Sequence, residues 1–246
     1  MGMDRKNVLV IGGSGGIGSE VVRVLSSKGF RVAFTYFKNK KVADELLTSQ
    51  KNVTGYPADL LSQNAIQEIV LRMLADHGGL DAIVYSVTPP VLNKNILSTI
   101  WQDHLDHWQL QTKGLFHVVQ ALKERILQKK KLKFIIIGTE YCIGRPPAGL
   151  SHYVQAKYSL LGFVKSMAVD LAKYHCTVNV VSPGMVQTPL IDPLPPKLVE
   201  VTAESNPLKR IATPRDVADL VLFLSEDASD YLNGVNVTVN GGSTML

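Results

Sequence analysis

The sequence predicts an α/β fold in which a single-domain, doubly wound parallel sheet of seven strands carries helices on both faces. Short, mostly unbroken apolar segments alternate with helical patterns along the 246 residues, which is typical of parallel strands buried on both faces. A glycine-rich turn directly follows the first apolar segment. No repeat or low-complexity spacer interrupts the alternation, so residues 1–246 are predicted to form one domain.

The individual elements follow from the apolar pattern in chain order. Apolar segments bounded by turn residues predict strands at 7–11, 31–36, 52–56, 82–85, 134–138, 177–181 and 235–239. The patterns between them have helical spacing and predict helices at 16–28, 41–49, 64–77, 101–127, 153–174 and 214–224. The last helix has a favourable start, because Thr213 can cap it and Pro214 suits its first position.

The glycine-rich turn predicts a phosphate site. It lies between the first strand and the first helix, where backbone amides can approach a pyrophosphate and the helix dipole favours negative charge. The residues predicted to form this cradle are Gly12, Ser14, Gly15, Gly16, Ile17 and Gly18. A nucleotide is therefore the expected ligand.

Tyr153 and Lys157 are a candidate acid pair. Their spacing of four residues places the phenol and the ammonium on one face of a helix, one turn apart. A cation near a phenol favours the phenolate and eases proton transfer. The spacing alone is weak evidence, because tyrosine and lysine occur four residues apart by chance in many proteins. The nucleotide cradle that precedes the pair strengthens its interpretation as an acid pair.

The charge pattern restricts the partners. The net charge is +5 and the pI is near 9.1, with a local cluster of lysines at 129–133. We interpret this cluster as a solvated helix end, with a docking patch for an acidic carrier protein as the alternative. Nucleic-acid binding is not expected, because the cations are spread out and no aromatic platform accompanies them.

Other sequence features argue against a disulfide framework, a metal site and a membrane-length segment. The two cysteines, Cys142 and Cys176, form neither a disulfide framework nor a metal-ligand spacing. His104 and His107 lack the further ligands that a metal site needs, and His152 is expected to be partly exposed. Without a leader or a membrane-length apolar segment, the chain is expected to be cytoplasmic.

The chain resembles the classical short-chain dehydrogenase/reductase family over essentially its full length. The residues that carry the resemblance are the glycine motif at 12–18, Ala58-Asp59-Leu60, Tyr153-xxx-Lys157, and the segments 179–188 and 231–242. Within that family it looks most like the 3-oxoacyl-carrier-protein reductases, including the segments 206–210 and 214–218. The resemblance implies a Rossmann-type fold, a nicotinamide cofactor, and assembly as a homotetramer or homodimer.

The resemblance also implies roles for particular residues. Tyr153 would give its proton to a substrate carbonyl, while Lys157 would lower the tyrosine pKa and hold the nicotinamide ribose. Residues 187–210 would form a substrate lid. The further cofactor contacts that the resemblance implies are Asp59, Leu60, Ser86, Pro183, Gly184, Val186 and Thr188.

The end of the second strand favours NADP(H) over NAD(H). NAD sites of this architecture usually place an acidic residue there, which would repel a phosphate. This chain has Tyr36 and Lys38 at this point and no acidic residue before Asp44. The alternative is that the lysines here only solvate a loop.

Three departures from the family pattern concern the chemistry. The turn after the fourth strand reads Tyr85-Ser86-Val87-Thr88, and its bulkier residues are expected to alter packing beside the cofactor. Glu140 occupies the position of the family's serine, so we expect the adjacent Thr139 to supply the hydroxyl. Gln111 aligns with the family's helical asparagine. The catalytic candidates are therefore Tyr153, Lys157, Thr139 and Gln111.

Three functions remain open. The first is reduction of a ketone, such as a 3-oxoacyl thioester that is either free or bound to an acidic carrier. The second is a nucleotide-binding scaffold subunit with little or no activity. The third is reduction of an enoyl thioester, a quinone or another ketone. Enoyl reductases place the tyrosine seven residues before the lysine, where this chain has Leu150.

Overall fold

The computed structural model describes residues 5–245. It contains a seven-stranded sheet in the order β3-β2-β1-β4-β5-β6-β7, and every pairing is parallel. The strands are β1 (Asn7–Ile11), β2 (Arg31–Tyr36), β3 (Val53–Pro57), β4 (Ala82–Tyr85), β5 (Leu132–Ile137), β6 (Cys176–Pro183) and β7 (Asn236–Val239). The predicted parallel doubly wound sheet is confirmed.

Helices cover both faces of the sheet. They are α1 (Gly16–Ser27), α2 (Lys40–Ser49), α3 (Gln63–His77), α4 (Trp101–Trp108), α5 (Gly114–Ala121), α6 (Lys123–Leu127), α7 (Ser151–Asp170), α8 (Pro196–Ser205) and α9 (Pro214–Ser225). The sequence pattern missed α8, because the prolines around it indicated a loop. The prediction of one helix at 101–127 is wrong, since a π-helical segment (Gln109–Lys113) and a break divide it.

Alternate residues of β1, β2, β4, β5 and β6 pack in two separate cores. In β1, Val8 and Val10 pack in the core that includes α1, α2 and α9, whereas Leu9 and Ile11 pack in the core on the opposite face. All four side chains are almost fully buried. The chain leaves β1 toward β2 and returns through β4 on the other side of β1. This reversal opens a crevice at the carboxyl ends of β1 and β4.

The π-helical segment is hydrogen-bonded to the buried Tyr85. A π-turn leaves a backbone carbonyl out of register with the ordinary helical hydrogen bonds, and the Tyr85 hydroxyl donates to the Leu110 carbonyl over 2.5 Å. Gly114 makes room for it, because a Cβ there would lie 2.4 Å from the same hydroxyl. Tyr85 therefore packs in the core, with its hydroxyl bound to the neighbouring helix.

The lysine cluster is part of the fold at the amino end of β5. Lys133 is 3% exposed, and its ammonium binds the Glu226 carbonyl, the Ser229 hydroxyl and Asp230. Lys131 pairs with Asp227 and Asp230. The interpretation as a merely solvated helix end is therefore wrong for Lys133. A docking patch here would also lie at the opposite end of the strands from the crevice.

No helix within residues 5–245 is long and apolar enough to span a bilayer.

Candidate functional site

The glycine turn is held by β2 and leaves a helix N-terminus open. The Gly12 amide donates to the Thr35 hydroxyl and the Gly13 amide to the Thr35 carbonyl, each over 2.9 Å. Helix α1 begins after Gly15, which has no side chain to cap the first amides. In α9, by contrast, Thr213 and Asp216 form a complete capping box. The free amides of α1 are thus available to an anion.

The cradle has no space for side chains. A Cβ on Gly12 would lie 2.4 Å from the Ser86 carbonyl oxygen, and one on Gly18 would lie 2.2 Å from the Gly12 carbonyl oxygen. A Cβ on Gly16 would meet the Thr188 side chain at 2.5 Å. The turn therefore brings the segments after β1, β4 and β6 into direct contact. A backbone cradle that only glycine can form suits a pyrophosphate.

The end of β2 lies beside the same turn. Asn39 donates from its amide to the Ser14 carbonyl over 2.9 Å, and this bond ties the segment after β2 to the glycine turn. Tyr36 packs against Phe34 with ring centroids 6.1 Å apart. Lys38 is exposed, so its ammonium is free to meet an anionic group near Ser14.

The segment after β3 is the third wall of the nucleotide crevice. The Ala58 amide pairs with the Tyr36 carbonyl over 2.8 Å, which continues the sheet beyond β3. Asp59 is exposed, and its carboxylate accepts from the Leu61 amide over 3.0 Å. Leu60 is 8% exposed and packs in the core. Asp59 and Leu60, the predicted adenine contacts, therefore follow β3 at the carboxyl end of the sheet, with Leu60 facing mainly inward.

The segment after β6 closes the crevice on the other side. The Gly184 amide donates to the Val239 carbonyl over 3.1 Å, and Val186 forms a bridge with Ala212. Thr188 reaches the glycine turn, as its closeness to Gly16 shows. Of the predicted contacts of this segment, Thr188 is thus brought to the cradle, whereas Gly184 and Val186 pair with Val239 and Ala212, and Pro183 is the last residue of β6.

Tyr153 and Lys157 lie on the buried face of α7. They are 9% and 4% exposed, and the Lys157 ammonium donates to the Ile137 carbonyl at the end of β5 over 2.9 Å. Its nitrogen lies 5.8 Å from the centre of the Tyr153 ring. The i, i+4 spacing and the anchor on β5 together bring both polar groups to the carboxyl end of the sheet.

Burial controls the ionisation of this pair. It raises the pKa of Tyr153 above its ordinary value, and hydrogen bonding with Thr139 opposes that rise. Burial also lowers the pKa of Lys157 to about 8.

The structure separates Thr139 from Glu140. Thr139 is 4% exposed and extended. Its hydroxyl oxygen accepts from the Tyr141 amide over 3.4 Å, and Thr139 also opposes the rise in the Tyr153 pKa. Glu140 turns the other way, toward the C-terminal segment, where its carboxylate accepts from the Asn240 amide over 3.0 Å and from the Ser243 hydroxyl. The carboxylate that would oppose an oxyanion is therefore occupied elsewhere.

Gln111 lies in the π-helical segment and is fully buried. Its amide nitrogen contacts the Thr88 hydroxyl at 3.3 Å and His107 Nδ1 at 3.2 Å. Burial lowers the pKa of His107 to about 4, so this imidazole is neutral at pH 7. Sequence reasoning missed His107 as a site residue; the one available signal was its position one helical turn before Gln111.

The prediction of a partly exposed His152 is also wrong. This residue is 2% exposed, and its ring lies edge-on to that of His107 with centroids 4.9 Å apart. Burial lowers its pKa. Within residues 5–245, the histidines, cysteines and carboxylates form no group of three or more that could hold a metal ion.

Two cavities border the site. A cleft of about 300 Å³ is lined by Glu140, Gly184, Asn206 and Asn240 among others, but by neither Tyr153 nor Lys157. A void of about 10 Å³ is lined by Thr139, Lys157 and apolar neighbours, and is large enough for one water molecule at most. The tyrosine–lysine pair therefore lies outside the larger cleft.

Comparisons with known proteins match nearly the whole chain. Residues 12–244 match a family profile described as "Enoyl-(Acyl carrier protein) reductase". The 3-oxoacyl-[acyl-carrier-protein] reductase FabG of Staphylococcus aureus strain Mu50 is 29% identical over 247 residues, which cover 98% of each chain. The oxidoreductase UcpA of Salmonella typhimurium is 28% identical, covering 98% of this chain and 95% of the relative.

Solved structures share the fold. A dehydrogenase/reductase from Sinorhizobium meliloti superposes with a TM-score of 0.87 at 26% identity, covering 98% of this chain and 95% of the other. A double mutant of a short-chain dehydrogenase/reductase from Serratia marcescens gives a TM-score of 0.87 at 27% identity, with 98% of both chains covered. Taken with the glycine cradle and the buried tyrosine–lysine pair, these matches show that the chain belongs to the short-chain dehydrogenase/reductase family of NAD(P)-dependent oxidoreductases.

Proposed function

We propose that this protein is an NADPH-dependent reductase that converts a ketone of the 3-oxoacyl thioester class to the alcohol. The observation that carries the proposal is the position of Tyr153 and Lys157, both buried on one face of α7 at the sheet end that bears the glycine cradle. A carbonyl oxygen that gains negative charge needs an acid and hydrogen-bond donors close by. The nicotinamide, when bound, supplies the hydride.

The buried groups have separate roles in the reduction of the carbonyl. Tyr153 donates its proton to that oxygen, and Thr139 donates a hydrogen bond there. Lys157 has donors beyond the one bound to the Ile137 carbonyl, and these suit ribose hydroxyls. A raised tyrosine pKa keeps the phenol protonated at neutral pH, as an acid must be before it reacts.

The roles of Thr139 and Glu140 can be separated by substitution. Thr139→Val removes the hydroxyl with little change in volume, and we expect kcat to fall by about 10²-fold. Glu140→Gln keeps an acceptor for Asn240, so turnover should remain close to wild type while stability falls by about 1–2 kcal/mol. Steady-state kinetics of both variants measure the change in kcat, and thermal melts measure the change in stability. The reverse order of effects would assign the role to Glu140.

Lys38 supports the preference for NADPH. It is an exposed cation beside the Asn39–Ser14 contact, and no carboxylate lies between Thr35 and Ala43 to repel a phosphate. Lys38→Glu is expected to raise KM for NADPH by about tenfold and to leave KM for NADH nearly unchanged.

Lys28→Glu is the matched control for Lys38→Glu. It makes the same change in net charge at the opposite end of α1, about 18 Å from the glycine turn at 1.5 Å per residue. We expect it to leave both KM values unchanged. An equal effect of the two variants would indicate general electrostatics and would contradict a phosphate contact at Lys38.

The substrate class is tested by turnover. The family profile carries an enoyl-reductase description, but Leu150 stands seven residues before Lys157, where the enoyl reductases have their tyrosine. A panel of 3-oxoacyl thioesters, enoyl thioesters and quinones should give NADPH oxidation with the first class and the corresponding alcohol by mass spectrometry. NADPH binding without oxidation of any compound would favour the scaffold alternative.

The remaining assignments extend the same proposal. Residues 187–210, which include α8, act as a substrate lid on a single domain of residues 1–246. The protein works in the cytoplasm as a homotetramer or homodimer. An acidic carrier protein can deliver the acyl group. A FabG relative, whose name specifies an acyl-carrier-protein substrate, supports this last point.

A further inference from the structure

The carboxyl end of α8 is held by a hydrogen bond to the C-terminal segment. No residue of α8 is buried, and the helix is followed by Asn206. The Asn206 side-chain NH2 donates to the Asn240 backbone carbonyl over 2.8 Å. Gly241 leaves space for this contact, because an added Cβ there would lie 2.5 Å from the Asn206 side-chain oxygen. The position of this end of α8 therefore depends on where Asn240 is held.

Asn240 is held in turn by Glu140. The Asn240 side-chain NH2 donates to the Glu140 carboxylate over 3.0 Å, and the side-chain oxygen accepts from the Gly242 amide over 3.1 Å. An ionised carboxylate only accepts hydrogen bonds, so Glu140 requires the NH2 group of Asn240 on its side. Glu140 and Asn240 are 9% and 8% exposed. The contact is thus buried, and it fixes the residue whose backbone carbonyl receives Asn206.

Glu140 connects these contacts to the end of β5. It follows Thr139 directly in the chain, and the cleft of about 300 Å³ is lined by Glu140, Asn206 and Asn240 together. The same cleft is lined by Thr202 of α8 and Val239 of β7. The three hydrogen-bonded residues therefore border the space between α8 and the ends of the strands.

We infer that Glu140 is a positioning residue, which acts through Asn240 on Asn206 and fixes the carboxyl end of α8 relative to the strand end that carries Thr139. The inference rests on the proposed reductase function, in which residues 187–210 form the substrate lid. Glutamate thus gives position 140, where the family has a serine, a contact with the C-terminal segment and through it with the lid.

Hydrogen exchange tests the inference without any turnover. The Leu208 amide donates to the Asn206 side-chain oxygen and the Lys209 amide to the Asn206 carbonyl, so both report on the position of Asn206. Glu140→Ala removes the acceptor for Asn240, and we expect exchange within residues 202–210 to become at least about tenfold faster. Glu140→Gln keeps a carbonyl oxygen as acceptor and should retain most of the protection.

Glu140→Asp keeps the charge and shortens the side chain, and it is the second variant if Glu140→Ala does not fold. It should also speed exchange within residues 202–210. Wild-type exchange rates in this segment of either folded variant would overturn the inference, whatever the substrate is.

Kinetics test the consequence for substrate binding. KM for the ketone should rise about tenfold in Glu140→Ala and in Asn206→Ala, while kcat and KM for NADPH change less. Both variants break the same series of contacts, so the double variant should show little further increase in KM. Fully additive effects would show that Glu140 and Asn206 act independently and would refute the inference.

Asp81→Ala is the matched control. The Asp81 carboxylate is half-buried and accepts from the Asn7 amide over 2.7 Å, at the amino ends of β1 and β4. Its removal should lower thermal stability but leave exchange within residues 202–210 and KM for the ketone at wild-type values. If wild type reduces nothing in the panel, the proposed reductase function fails, while the exchange measurement still decides whether Glu140 holds the end of α8.

Discussion

Replacing Tyr153 by phenylalanine is expected to lower kcat for NADPH-dependent ketone reduction by at least about 10³-fold while nucleotide affinity stays within about twofold of wild type. Phenylalanine keeps the ring that packs on Tyr141 and His107 but has no proton to donate. Loss of a positioned general acid usually costs 10² to 10⁴ in rate. Stopped-flow reduction and nucleotide fluorescence titration measure the two quantities.

A matched variant checks that the effect belongs to this phenol. Tyr141 is the neighbouring aromatic residue, with ring centroids 6.5 Å from Tyr153, and burial raises its pKa as well. We expect Tyr141→Phe to keep turnover within about tenfold of wild type, since its hydroxyl is not the proposed acid. If Tyr153→Phe retained full activity, proton donation by this residue would be excluded.

Replacing Gly12 by alanine is expected to abolish tight nucleotide binding. Gly12 has a φ of +82°, and an added Cβ would lie 2.4 Å from the backbone carbonyl oxygen of Ser86. The positive φ costs about 1–2 kcal/mol for an alanine, and relieving the overlap requires movement of β1 against the β4 end. We expect nucleotide Kd to rise at least about tenfold and stability to fall by about 2–5 kcal/mol.

Gly29 allows the cost of a side chain at positive φ to be separated from the cost of the overlap with Ser86. It has a similar φ of +87°, but nothing lies within 4 Å of an added Cβ. Gly29→Ala should therefore lose only about 1–2 kcal/mol of stability and keep wild-type nucleotide affinity. Calorimetric titration with NADPH and chemical denaturation of both variants measure the comparison. Equal nucleotide affinity in the two variants would show that the glycine turn does not hold the phosphates.

Most of the sheet could be predicted because its signal is local. Strands β1, β2 and β4 are buried on both faces apart from their ends, so their apolar runs are continuous. The predicted strands at 7–11, 31–36 and 82–85 agree with them at both ends. The run of helix at 101–127 could not be subdivided in the same way. Its π-helical segment depends on the Tyr85 hydroxyl, which comes from a different strand.

The burial of polar residues also depends on contacts between segments that are distant in the sequence. His152 and Lys133 carry polar side chains that sequence reasoning places at the surface, and both are buried. Lys133 is satisfied by the segment 226–230, which lies more than ninety residues later in the chain. His152 is enclosed by rings from α4. Contacts between distant segments leave no periodic signal in a single sequence.

The sequence by itself was sufficient to identify the nucleotide cradle and the tyrosine–lysine pair as candidate site features, because both depend on spacing within one turn or one helix. Only the tertiary structure decided which side chain at the end of β5 faces the phenol. Glu140 is drawn away by Asn240 and Ser243, which lie about a hundred residues further along the chain, and Thr139 remains beside Tyr153. Burial, which no local pattern measures, likewise decided that the phenol stays protonated and that His107 is neutral.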